Sequence, residues 1–301
     1  MLTGARIDHH GAWAGLHYVL TMARRADRRS RLLLVRALTA QGHGYRHLTV
    51  TTCADDTLLA AELATGAGAL LLELRASGLV GDELKKAGDH DANDFLLERL
   101  AAARPDDAVL SEESADSPAR LDAERVWIID PLDGTREFGE VPRVDWAVHV
   151  ALWVEGRLVA GAVALPGLGR TLVSSPATPV PERPGGPLRL VVSRTRPPAV
   201  TTAVAERLGA ELVPMGSAGA KATSILLGQS DVYLHGGGQY EWDSAAPVAV
   251  CAGAGLHTSR ADGSPLEYNQ PHPWLPDLLI CRSELAGAVL DVVAAVGGID
   301  A

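Results

Sequence analysis

The 301-residue chain contains few aromatic residues, few cysteines and fewer basic than acidic side chains. Aromatics make up 4 % of the sequence, so we expect a core of aliphatic side chains. Cys53, Cys251 and Cys281 are too few and too widely spaced to predict a disulfide framework or a zinc site. No uninterrupted apolar run reaches the about 20 residues that span a bilayer. These absences favour a reduced, cytoplasmic protein without a membrane partner.

The net charge of −10 argues against nucleic acid as a partner, because nucleic-acid backbones are bound by clustered Lys and Arg. The first fifty residues nevertheless hold eight Arg and two Asp, a balance of +6, which leaves −16 for the rest. We interpret residues 1–54 as a non-catalytic N-terminal extension, with a targeting segment or an accessory element as alternatives. A small anionic ligand fits the acidic remainder if a cation screens the repulsion.

The periodicity of apolar residues from Asp55 onward predicts two helices followed by strands. The first helix opens at Asp55 and runs to about Leu74, and the second runs from His90 to Ala103 with Asp89 as its N-cap. With 47 % hydrophobic residues, the chain is long enough to form two packed lobes.

The remaining pattern predicts how these lobes are divided. Residues 145–154 and 157–166 read as a hairpin, and 174–187 as a loop rich in Pro and Gly. Strand and helix patterns alternate from residue 188 to 253. We therefore predict an α+β lobe over 55–185 and an α/β lobe over 186–301.

The segment VWIIDPLDGTREF (126–138) delivers acids to the end of an apolar strand. An unpaired buried charge is costly, so Asp130 and Asp133 need a compensating partner. The spacing excludes an EF-hand, which needs acids or amides at positions 1, 3 and 5 and Gly at position 6. Oxygen ligands without nearby His or Cys favour Mg²⁺ or Mn²⁺ over zinc. Two such ions would suit phosphoryl hydrolysis, and the amides after Gly134 would suit a phosphate.

Other acids have simpler interpretations when each is taken alone. Asp89 and Asp243 could cap helices. The pair Glu112-Glu113 could lie in a solvated loop. The argument for a metal site therefore depends on all of these segments together.

The ordered strings SEE (111–113), DPLDGT (130–135) and WDSAA (242–246) resemble the inositol monophosphatase superfamily of Mg²⁺-dependent, lithium-sensitive phosphatases. The resemblance covers about residues 55–285. DPLDGTREF, VVSRTRPP, GSAGAKA and EWDSAAPVAV are most similar to its 3′(2′),5′-bisphosphate nucleotidase branch, the CysQ type. The resemblance implies a layered αβαβα sandwich with the metal site between two lobes.

The resemblance also implies roles for particular residues. The metal ligands would be the side chains of Glu112, Asp130, Asp133 and Asp243 and the backbone carbonyl of Leu132, around two or three Mg²⁺ ions. Asp89 and Thr135 would orient and help deprotonate the attacking water. The substrate contacts would be Gly134, Thr135, Arg194, Ser217 and Lys221.

The activity that the resemblance implies is removal of the 3′-phosphate from adenosine 3′,5′-bisphosphate, and from 3′-phosphoadenylyl sulfate, in sulfate assimilation. An inositol-1-phosphate or fructose-1,6-bisphosphate phosphatase is the alternative with the same metal chemistry. A metal-binding regulatory protein without turnover is the alternative of another class, although it would not need the pair Asp89 and Thr135. A homodimer is compatible with each of these readings.

Overall fold

The computed structural model describes residues 49–298, with side chains from residue 55 onward. Seven α-helices lie in this range: α1 (Thr49–Ala76), α2 (Gly81–Ala103), α3 (Thr135–Gly139), α4 (Ala199–Leu208), α5 (Ala218–Thr223), α6 (Glu241–Gly253) and α7 (Ala286–Ala295). The described strands are β1 (Ala108–Ser111), β2 (Arg125–Asp133), β3 (Ala147–Val154), β4 (Arg157–Leu165), β5 (Arg170–Val173), β6 (Arg189–Ser193), β7 (Glu211–Met215), β8 (Val232–Tyr240), β9 (His257–Ser259) and β10 (Trp274–Cys281).

The first sheet has the order β1-β2-β3-β4-β5, with β1 parallel to β2 and every other pair antiparallel. Strand β2 is apolar on both faces because both faces are covered. Val126 and Ile128 pack into one core, and Trp127 and Ile129 pack into another. The strand thus carries its terminal acids into the interior of the molecule.

The second sheet has the order β7-β6-β8-β10-β9. Its β6 lies parallel to both β7 and β8, while β10 runs antiparallel to β8 and β9. Parallel neighbours require crossover connections, which α4 and α5 provide between β6, β7 and β8.

Three apolar cores stack the elements into five layers. One core joins α1 and α2 to the first sheet, the second fills the space between the two sheets around α5 and α6, and the third lies under α4 and α7. Helix α6 packs closely on β4, since a Cβ added at Gly161 would stand 2.6 Å from the Cβ of Ala249. The predicted αβαβα sandwich is therefore confirmed.

Both N-terminal helices are longer than the sequence predicted. Helix α1 begins at Thr49 rather than Asp55, and α2 begins at Gly81 rather than His90. The assignment of Asp89 as an N-cap is wrong, because buried Leu84 and Gly88 extend the apolar face of α2 by more than a turn before it. Asp89 thus lies inside the helix, where its carboxylate is free for another role.

One helix in the described range, over Asp55–Ala76, reaches the length and hydropathy of a membrane span. The sequence has no uninterrupted apolar run of this length, but by mean hydropathy this helix does qualify as a candidate span. Buried core helices pass the same test, and this helix places Ala60, Leu63 and Leu71 in the core beneath the first sheet.

The domain limits stay a prediction. The interpretation of residues 1–54 falls, up to residue 48, outside the described residues. The proposed boundary between lobes, at 185 and 186, lies in the connection between β5 and β6.

Candidate active site

The C-terminal end of β2 and the first turn of α6 bring three carboxylates together. Ligand oxygens of Asp130, Asp133 and Asp243 all lie within 4.8 Å of one another. Asp130 and Asp133 are 1 % and 7 % exposed. Between these two residues the pairing of β2 with β3 shifts register, which turns both acids toward the same place. We call this set the acidic cluster.

Asp133 is held by the segment that leads into α5. Its Oδ2 accepts hydrogen bonds from the Ser217 hydroxyl at 2.5 Å and the Gly219 amide at 2.6 Å, and its Oδ1 accepts one from the Ala218 amide at 3.0 Å. Burial works against ionisation of Asp133, but His149 and these donors outweigh it and bring its pKa to about 2. This carboxylate is therefore a fixed anion, with most of its free acceptor capacity on Oδ1.

Asp130 has the opposite electrostatic setting. Its Oδ1 accepts a hydrogen bond from the Leu132 amide at 3.0 Å, and within the described range no Lys or Arg lies within 4 Å of it. Burial, together with the charges of Glu112, Asp133 and Asp243, raises its pKa well above the usual value. Without a cation, this position disfavours a charged carboxylate.

Glu112 and Asp243 complete the acidic surroundings. The Asp243 carboxylate accepts a hydrogen bond from the Tyr240 amide at 2.6 Å, and burial with the charge of Asp133 raises its pKa to about 6. Residue Glu112 as a whole is exposed, yet loss of hydration at its carboxyl and repulsion from Asp243 raise its pKa to about 7. Glu112 is therefore close enough to the cluster to share its charge, and its role as a metal ligand stays a prediction.

The donor set fits hard divalent cations. Oxygen ligands from several carboxylates are those that Mg²⁺ and Mn²⁺ prefer. The pKa values of Asp130, Glu112 and Asp243 are raised by burial and then by mutual repulsion, and a bound cation would offset both. The cluster can therefore hold metal by its own chemistry, and the solvated-loop interpretation of Glu112 does not account for this setting.

Thr135 connects the cluster to Asp89 on α2. Its hydroxyl lies 3.3 Å from Asp89 Oδ1 and 3.2 Å from the Leu132 carbonyl oxygen. Burial and the charge of Glu113 raise the pKa of Asp89 to about 6. The structure thus brings together the two residues predicted as a catalytic pair, with an acid that can take up a proton near neutral pH.

Gly134 is required by the backbone at this point. It has φ +86° and caps α3, and an added Cβ would stand 3.0 Å from the Cβ of Ser217. A side chain here would strain the turn and push Ser217 away from Asp133.

Lys221 lies on α5, buried beside the cluster. It is 7 % exposed, and burial lowers its pKa although Asp133, Asp243, Glu137 and Asp145 act in the other direction. Its ammonium lies 5.3 Å from the centre of the Tyr233 ring and forms no ion pair within 4 Å in the described part of the chain. A buried cation without a direct anionic partner is a suitable contact for a phosphate.

Arg194 and Ser217 have protein partners in this structure. Arg194 binds Glu137 Oε1 and Glu140 Oε2, each at 2.7 Å, and so ties the end of β6 to α3. The Ser217 hydroxyl donates to Asp133 and also accepts from the Ala220 amide at 2.9 Å. In this structure the polar atoms of both side chains are therefore engaged in hydrogen bonds within the protein.

Sequence reasoning missed His149. It lies on β3 opposite Asp130 and is fully buried. Its only signal was a single polar residue within the apolar run AVHVALWV, a pattern equally typical of a histidine satisfied in a core.

Cation binding is expected to strengthen as pH rises from about 5.5 to about 7.5. Over that range the metal-free protein carries protons on Asp243 and Glu112, whose pKa values are about 6 and about 7, and a cation must displace them. Calorimetric titration with Mg²⁺, in buffers of different ionisation enthalpy, would measure the affinity and the protons released.

The same raised pKa values predict how the stability of the metal-free protein changes with pH. Its folded state binds more protons than its unfolded state between pH of about 4.5 and 7, so its melting temperature is expected to fall as pH rises through that range. A Mg²⁺ affinity that did not change between pH of about 5.5 and 7.5 would contradict the assignment of Glu112 and Asp243 to the cluster, and so would a melting temperature that did not fall.

Comparison with known proteins identifies the family. The model of the inositol monophosphatase family matches residues 54–179 and 187–294. A 3′-phosphoadenosine 5′-phosphate phosphatase of Mycobacterium leprae is 51 % identical over 254 residues, which cover 79 % of this chain and 93 % of that protein. The 3′(2′),5′-bisphosphate nucleotidase CysQ of Salmonella typhimurium is 31 % identical over 202 residues, which cover 63 % of this chain and 81 % of that one.

Solved structures agree on the fold. CysQ from Bacteroides thetaiotaomicron has a TM-score of 0.68 at 22 % identity, covering 76 % of this chain and 97 % of that chain. An inositol monophosphatase from Anabaena has a TM-score of 0.66 at 21 % identity, covering 82 % and 98 %. With the matched family model and the acidic cluster, these findings show that the chain belongs to the inositol monophosphatase family.

Proposed function

We propose that this protein is a phosphatase that removes the 3′-phosphate of adenosine 3′,5′-bisphosphate, giving AMP and phosphate. The observation that carries the proposal is the buried ammonium of Lys221, which forms no ion pair within residues 55–298 and lies beside the acidic cluster. Relatives at 51 % and 52 % identity are named 3′-phosphoadenosine 5′-phosphate phosphatases, which supports this substrate. We also propose 3′-phosphoadenylyl sulfate as a second substrate, a role in sulfate assimilation and a location in the cytoplasm.

The metal would be held by Asp130, Asp133, Asp243, Glu112 and the Leu132 carbonyl. We propose Mg²⁺, in two or three ions, with Mn²⁺ as a substitute, because all of these donors are oxygens. When bound, such ions stabilise the negative charge that develops on a phosphoryl group and its leaving oxygen. They also allow an acidic protein to hold an anionic substrate.

The chain's own residues would position the attacking water and the substrate. The Thr135 hydroxyl can donate its hydrogen bond to Asp89 and accept one from the attacking water, so that as water passes its proton to Thr135 the threonine passes its own to Asp89, whose raised pKa suits proton uptake. The amides of Gly134 and Thr135 would hold the scissile phosphate. Lys221 would hold the 5′-phosphate. Arg194 and Ser217 stay predicted as substrate contacts, and their hydrogen bonds to Glu137, Glu140 and Asp133 would hold them in place beside the site.

A substrate panel tests the proposal. With Mg²⁺ present, phosphate release is expected to be at least tenfold faster from adenosine 3′,5′-bisphosphate than from inositol 1-phosphate or fructose 1,6-bisphosphate, measured as kcat/KM and corresponding to about 1.4 kcal/mol. Lithium and calcium are expected to inhibit, calcium because its larger, looser coordination does not suit an octahedral Mg²⁺ site.

Two outcomes of the panel would contradict the proposal. Faster turnover of inositol 1-phosphate would favour the sugar-phosphatase alternative. Mg²⁺ binding without phosphate release from any of the three substrates would favour a regulatory protein, although the contact of Asp89 with Thr135 has no evident use in one.

A further inference from the structure

His149 is a polar side chain on a face of β3 that otherwise packs against the helices between the sheets. Its neighbours on that face, Ala147 and Ala151, belong to the core between the sheets, while Val148 and Val150 face the opposite core. The imidazole is fully buried. A polar group in such a place is costly unless its partners are arranged for it.

One ring nitrogen faces the backbone next to Asp243, and the other faces the side chain of Asp133. Nδ1 lies 3.0 Å from the carbonyl oxygen of Trp242, the residue before Asp243. Nε2 lies 3.2 Å from Asp133 Oδ2, outside the geometry of a regular hydrogen bond, and no better-placed partner is present in the described range. The Trp242 carbonyl can only accept, so Nδ1 donates to it, while Nε2 lies against the Asp133 carboxylate at ion-pair distance.

The surrounding backbone makes room for this ring. A Cβ added at Gly219 would stand 2.0 Å from His149 Nε2, so the first turn of α5 must carry a glycine where it passes the imidazole. The same glycine donates its amide to Asp133 Oδ2. The imidazole, the α5 turn and the Asp133 carboxylate are thus fitted to one another.

From these contacts we infer that His149 is a positioning residue that sets the separation of Asp133 and Asp243. Asp133 ends β2 in the first sheet, whereas Asp243 follows β8 of the second sheet at the start of α6. His149 bridges them through one contact to each side. Oδ2 of Asp133 accepts from Ser217 and Gly219 and faces the imidazole. Oδ1, which has a single donor among the described residues, is thus left as the oxygen for a cation. This role rests on the proposed metal-dependent function.

Metal binding by two variants tests this role. His149→Leu is expected to weaken Mg²⁺ binding by about 10- to 100-fold, the range for residues that orient metal ligands. Calorimetry and the Mg²⁺-induced rise in melting temperature measure binding without turnover. His149→Gln, which reaches one acceptor, is expected to lie between His149→Leu and the wild type. Val150→Ala is the matched control, because it opens a cavity on the opposite face of β3. It is expected to lower the melting temperature and leave the Mg²⁺ affinity unchanged.

Each outcome decides the role. Wild-type affinity in His149→Leu, or in His149→Gln where the Leu variant does not fold, would overturn the inference. Equal weakening in Val150→Ala would assign the effect to general packing and also overturn it. A wild-type protein that bound no Mg²⁺ would instead refute the proposed function, so the two failures are distinguishable.

Discussion

Asp130→Asn is expected to lower kcat by about a thousandfold or more while leaving the metal-free protein folded. Loss of a metal-holding charge removes several kcal/mol of transition-state stabilisation, and a thousandfold corresponds to about 4 kcal/mol. Stability is expected to hold because Asp130 is disfavoured as an anion without a cation, and Asn retains an oxygen for the Leu132 amide. Steady-state kinetics at saturating Mg²⁺ and thermal unfolding without metal would measure the two effects.

Asp133→Asn provides a contrast that the sequence alone did not predict. This carboxylate accepts from Ser217 and Gly219 on one oxygen and from Ala218 on the other. Asn keeps only one acceptor oxygen, and its NH₂ group cannot accept from the donors at the other position. The variant is therefore expected to lose both activity and stability, with a lower melting temperature than Asp130→Asn.

The exposed residue Asp82 offers a control, since Asp82→Asn should change neither activity nor melting temperature. Near-wild-type turnover in Asp130→Asn at saturating Mg²⁺ would contradict the metal assignment.

Lys221→Ala is expected to lower kcat/KM for adenosine 3′,5′-bisphosphate by about 30- to 1,000-fold. The reason is that a buried cation that holds the non-reacting 5′-phosphate is worth about 2–4 kcal/mol when that desolvated pair is broken. Inositol 1-phosphate has no second phosphate, so its kcat/KM should change much less. The two substrates should therefore diverge in the variant, which parallel kinetics on both would show.

Two further lysine variants separate binding from folding. Lys221→Met keeps an apolar stem of similar length and removes the ammonium that lies over the Tyr233 ring, so it should reproduce the kinetic effect with less loss of stability. The chain contains three lysines, and Lys86→Ala on the exposed side of α2 should have no effect. An equal loss on both substrates would assign Lys221 to the metal site or the fold, and would favour a general sugar phosphatase.

The sequence was sufficient for features that depend on local pattern. Strand β2 was recognised from its apolar run. The acids at the end of β2 could be assigned to a metal because a buried carboxylate without a cation is unfavourable wherever the chain places it. Boundaries that depended on packing were less well predicted, as α2 shows: its first two turns are helical because Leu84 and Gly88 find a buried surface.

Only the tertiary structure decided which side chains share the site and what each contacts there. Nothing local relates Asp133 to the amides of α5, about 85 residues later in the chain, or gives Arg194 the carboxylates of Glu137 in α3 and of Glu140 directly after it. His149 could not be singled out from the sequence, because a buried histidine acquires its role from the acceptors that other strands and helices bring to it. Local sequence determined the kinds of group available, and the packing of two sheets around α5 and α6 determined their distances, burial and charge.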